Sequence, residues 1–157
     1  MLDKRQNLGR CEKGSIFVES LLVLPLITLL SVGILEFGNV LWQRHQVQTG
    51  VRDAARYWAR CKPNVVGYTS NCSMTKARNI AFYGNPQGTG ALRVPNWQSD
   101  SQLTILPAKT DLPPSPNNGD KVYAKAELDY AGSPLFALLR INTVRIEYAH
   151  YQRYLGW

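Results

Sequence analysis

Apolar positions follow two regimes along this chain. From Ile16 to Phe37 they are nearly continuous: among 22 residues only three hydroxyls, one Gly, one Pro and two glutamates interrupt the run. At about 1.5 Å per helical residue such a stretch spans roughly 33 Å, enough to cross the hydrocarbon core of a bilayer. It is apolar on every face, whereas the helix of a soluble domain carries one stripe. The pattern predicts a transmembrane helix.

After Phe37 the pattern becomes periodic. In NVLWQRHQVQTGVRDAARYWAR (39–60), Val40, Val47, Val51, Ala54 and Trp58 recur at steps of seven, four, three and four, one stripe on a continuing helix. That stripe is expected to seat the chain's own globular domain. Arg52, Arg56 and Arg60 form a row on another face. Trp42 lies where an interfacial aromatic would anchor. Pro25 and Gly50 should weaken helical continuity, and Pro63 should end the helix near Cys61.

Ser73 is a candidate N-cap for a short helix, MTKARNIAFYG, stopped by Gly84 and Pro86. Residues 85–101 read as turn-rich. The period then drops to two. QLTILPA is a short strand candidate. In KVYAKAELDY, Val122, Ala124, Ala126, Leu128 and Tyr130 share one face, with Lys121, Tyr123, Lys125, Glu127 and Asp129 on the other. PPSPNNGD reads as a mobile connection, and Ser133-Pro134 opens a brief helix through Leu139. TVRIEYAHYQRYL closes as a strand with Val144, Ile146 and Tyr148 inward. The expected fold class is α+β: a long N-terminal transmembrane helix continuing as a stalk into a small antiparallel-sheet head.

Charge sets the orientation. Lys4, Arg5, Arg10 and Lys13 precede the apolar run, so the positive-inside rule places that short segment in the cytoplasm and the head in the periplasm. Arg44 and Arg52 pull weakly the other way. The apolar run exceeds that of a secretory signal peptide and lacks an A-x-A cleavage site. Cys11 precedes the run instead of ending it, which is the wrong order for a lipoprotein. Net charge is +7, but the basic residues are scattered, which favours anionic lipid headgroups over nucleic acid as partners. Cys61 and Cys72, facing an oxidising compartment, are expected to form a disulfide. A zinc site would need four ligands, and only His45 and His150 accompany the two thiols.

Glu19 is the unusual residue, a carboxylate in the first turns of the apolar helix. An unpaired charge in hydrocarbon costs several kcal/mol, so an intramembrane carboxylate implies a function. Cleavage between Gly14 and Ser15 would supply a cation, the new α-amine, one turn away.

These residues carry a resemblance. Gly14 followed at the fifth position by Glu19, after a short basic leader, resembles the processing site of class III prepilins. With Leu24-Pro25, Glu36-Phe37-Gly38 and Ala54-Ala55-Arg56 added, residues 13–60 closely resemble the TadE-like family, minor pilin-like proteins of the tight-adherence (Flp) pilus apparatus. The resemblance implies cleavage after Gly14 by an inner-membrane aspartic prepilin peptidase, with Glu19 guiding processing or assembly. Removing residues 1–14 takes away four basic and two acidic groups, leaving 14 against 9, or +5. The residue after Glu19 is Ser20, not the Tyr of the major Flp pilin, and the chain is far longer than that pilin.

The expected organisation is a leader (1–14), a transmembrane helix with its amphipathic extension (15–61) and a periplasmic head (62–157). The expected function is that of a minor pilin or pseudopilin acting in pilus assembly and adhesion, with other pilins and pilus-assembly membrane proteins as partners. An uncleaved bitopic scaffold of a secretion apparatus is the alternative. No G-x-S-x-G, H-E-x-x-H or Gly-rich phosphate loop appears, so neither an enzyme, a cofactor nor a small-molecule substrate is expected.

Overall fold

The computed structural model describes residues 11–62, 66–108, 120–130 and 144–156, with the side chains of residues 11–13 and 15 left aside. The order of elements is α1 (Cys11–Ala59), α2 (Met74–Tyr83), β1 (Leu103–Leu106), β2 (Lys121–Asp129) and β3 (Arg145–Arg153). It is an α+β fold with a single three-stranded antiparallel sheet in the order β1-β2-β3. The chain divides into two compact units, Met1–Asn39 and Val40–Trp157, and the division falls inside α1.

In the first unit, α1 runs through Pro25 without interruption. Its apolar side chains point outward all round: Ile16, Phe17, Leu22, Leu26, Leu29, Ile34 and Leu35 are each more than half exposed. The most apolar window of Ile16–Ala59 has a mean hydropathy of 2.2 and none of it is buried. Water is a poor solvent for such a surface and hydrocarbon a good one. Hydroxyls of the run bond back to the helix at Ser20 and Thr28, as suits a segment in lipid. Ser20 donates to the Ile16 carbonyl and Thr28 to the Pro25 carbonyl, each at 2.9 Å. One apolar helix of this kind fits a single-pass membrane protein.

In the second unit the same helix becomes amphipathic. Val47, Val51, Ala54 and Trp58 are fully buried, while Arg52, Arg56 and Arg60 are exposed, as the stripe requires. The stripe packs into a core with Ala77, Ala81 and Phe82 of α2 and Leu103, Ile105, Val122, Ala124, Ala126, Leu128 and Ile146 of the sheet. It therefore seats the chain's own domain. Gly50 does not loosen this part of α1. It is the point of closest approach: an added Cβ would lie 2.5 Å from the Ala81 carbonyl oxygen and 2.8 Å from the Trp97 ring.

α2 begins and ends on the residues that its sequence marks. The Ser73 side chain accepts from Thr75 N–H, and Gly84 takes the left-handed conformation at φ 80° while its N–H bonds the Ile80 carbonyl. Residues 85–101 are not merely a connection. Val94 and Trp97 are fully buried there, and Trp97 meets Phe82 edge-on at 5.3 Å between ring centres. The sheet follows its alternation: β2 buries Val122, Ala124, Ala126 and Leu128, and β3 buries Ile146 with Tyr148 half-buried. The expected mobile connection PPSPNNGD, apart from Asp120, and the expected helix at Ser133–Leu139 lie outside the described residues.

Long-range hydrogen bonds close the end of α1. The helix leaves its last carbonyls without intrahelical partners. Leu155 N–H donates to the Ala59 carbonyl at 2.9 Å and Tyr154 O–H to the Cys61 carbonyl at 2.7 Å. Trp58 Nε1 donates to the Pro107 carbonyl at 2.8 Å.

Candidate processing and assembly site

Gly14, Ser15 and Glu19 all lie in helical backbone near the start of α1. Gly14 is exposed, and a Cβ there would meet nothing within 4 Å. Ser15 and Glu19 are four residues apart, which sets them on one helix face about 6 Å apart along the axis. Glu19 is exposed among Ile16, Phe17, Val18, Leu21 and Leu22, whose exposures run from 56% to 72%. The carboxylate is thus set in a surface that is otherwise apolar. Glu36, the second glutamate of the run, differs in being only 7% exposed. Inserted in a bilayer, Glu19 needs a cation, a proton or access to the headgroups.

In the second unit Cys61 and Cys72 are disulfide-bonded, with 5.8 Å between their Cα atoms. The bond joins the end of α1 to the residue before the Ser73 cap. It also takes both thiols out of any metal site. Among the described residues no three His, Cys, Asp or Glu side chains are grouped to hold a metal.

The outward face of the sheet carries a cross-strand charge cluster. Glu127 stands directly opposite Glu147, a pairing that would repel if left alone. Lys125 bridges the two, bonding Glu127 and lying 2.5 Å from Glu147, and Arg145 bonds the other oxygen of Glu127. The hydrogen bonds to Glu127 and Glu147 hold the Lys125 ammonium well above the usual lysine range. The bond from Lys125 in turn holds the Glu127 carboxyl below its ordinary value. The tyrosines have separate uses. Tyr148 accepts from Arg52 Nε at 2.9 Å, Tyr154 closes α1, and Tyr123 packs on Tyr151, which stays 65% exposed.

Sequence reading singles out Gly14, Ser15, Glu19, Cys61 and Cys72 as candidates, and among the described residues the structure joins Cys61 to Cys72. It does not find the cross-strand cluster, because the alternation marks which residues face outward but not which strand lies opposite. The register supplies that pairing.

The segment from Gly14 to Arg56 is what one known family shares with this chain. Residues 14–56 match the family model for TadE-like protein. The TadE-like segment opens on Gly14, contains Ser15 and Glu19, and ends at Arg56, so it lies wholly within α1. The disulfide, α2 and the sheet fall beyond it. The match suggests a component associated with the tight-adherence pilus and interaction with other pilus components; the TadE-like family itself is one of pilus structural components. No curated protein and no solved structure matches the chain.

Proposed function

We propose that this chain is a minor pilin or pseudopilin-like subunit of a tight-adherence pilus, processed between Gly14 and Ser15 and held in the inner membrane until assembly. The observation that carries the reading is the TadE-like match, which opens on Gly14 and takes in Glu19. Lys4, Arg5, Arg10 and Lys13 keep the leader in the cytoplasm, where a prepilin peptidase would remove it, and the disulfide-bonded unit lies in the periplasm. The new Ser15 amine of one subunit pairs with Glu19 of its neighbour. Within hydrocarbon, any stagger that leaves either charge unmatched is strongly disfavoured, so the pair sets the register and apolar packing supplies the contact area.

The deciding measurement is the N-terminal residue and intact mass of the protein from native membranes. A start at Ser15 supports the reading. A start at Met1 overturns it in favour of an uncleaved bitopic scaffold.

A further inference from the structure

Beyond the TadE-like segment, the end of α1, the disulfide, the start of α2 and residues 86–87 border an open cleft of about 540 Å³. Arg60, Lys62 and Lys76 line it together with Tyr57, Tyr68 and Asn71, and no carboxylate takes part. Four other cations of this unit are paired with carboxylates: Arg78 with Asp100, Arg93 with Asp53, and Lys125 and Arg145 with their glutamates. Among the described residues, Arg60, Lys62 and Lys76 have no such partner. Lys62 lies 5.8 Å from the centre of the Tyr68 ring, and Lys76 donates to the Asn71 carbonyl at 3.1 Å. The first turn of α2 borders the cleft, contains no acidic residue, and adds its own partial positive charge.

We propose that this cleft binds an acidic saccharide, a sugar ring bearing a carboxylate. Three unmatched cations call for an anion. A bare inorganic anion would leave most of the volume empty, whereas the cleft is within the usual size range for organic ligands. Tyrosine rings offer apolar faces to the C–H face of a pyranose, and their hydroxyls and Asn71 offer partners to its hydroxyls. The disulfide fixes the geometry, because it ties the Lys62 side of the cleft to the Asn71 side.

The test uses the full chain in neutral detergent at low salt, titrated calorimetrically with trigalacturonate, maltotriose and inorganic phosphate. Trigalacturonate should bind, with maltotriose and phosphate each weaker by about tenfold or more, the worth of one charge-assisted hydrogen bond. Arg60→Gln with Lys76→Gln should cost at least about tenfold, while Arg44→Gln with Lys121→Gln, an equal loss of charge outside the cleft, should cost under about twofold. Tyr68→Ala should weaken trigalacturonate and leave phosphate unchanged. An unaltered thermal midpoint and an intact disulfide show that each variant is folded. Equal binding of maltotriose, equal binding of phosphate, or wild-type affinity in the folded Arg60/Lys76 variant overturns the proposal. None of these outcomes depends on processing at Gly14.

Discussion

A methyl group at Gly50 would press on a backbone oxygen of α2 and on the ring of Trp97. A carbonyl within a packed helix cannot retreat as a flexible side chain can. Gly50→Ala is therefore expected to destabilise the protein by about 1–3 kcal/mol through overpacking, although alanine is the better helix former by about 1 kcal/mol. The urea midpoint of the detergent-solubilised chain checks this, and a rise in the midpoint would contradict the packing seen. The example shows what one residue's sequence context reveals. Gly in a helical pattern signals weakness, while its use depends on Ala81 and Trp97, which lie far along the chain. Glu19 is the opposite case, legible from its own neighbours. Glu19→Ala should leave membrane insertion and protein level unchanged and abolish assembly, scored by pilus counts on cells. Normal piliation at wild-type protein levels would remove Glu19 from the mechanism.

At the scale of elements, local signals were the readable ones. The apolar run, the stripe of α1, the Ser73 and Gly84 caps and the alternation of β2 each rest on a few adjacent residues. Residues 85–101 are turn-rich as read, while the burial of Val94 and Trp97 within them depends on distant partners and is not marked locally. The disulfide is legible from compartment chemistry, and Cys72→Ser should cost about 3 kcal/mol in the chain-entropy model for so short a loop, read as a lowered urea midpoint. The cross-strand cluster predicts a pH effect. Glu127 titrates below its unfolded value in the folded chain. Its contribution is complete above the unfolded carboxylate pKa and disappears as pH falls through the lower folded value. Thermal midpoints measured from about pH 6 to about pH 3 should fall less steeply for Glu127→Gln than for the wild type. Identical slopes would show that the cluster adds nothing to folding.

For the whole molecule, the match to a known family ends within α1, so the disulfide-bonded unit must be understood from its own physics. Its core joins Val47 to Ile146, and the last carbonyls of α1 bond the chain near Tyr154 and Leu155. Synthesis proceeds in the other direction. Val47, Val51, Ala54 and Trp58 are made early, and the strand that completes their burial is made almost a hundred residues later. Through that interval an apolar stripe stands open. Folding of this unit thus depends on timing as well as on contacts, because the stripe of α1 has no cover until β2 and β3 have been made.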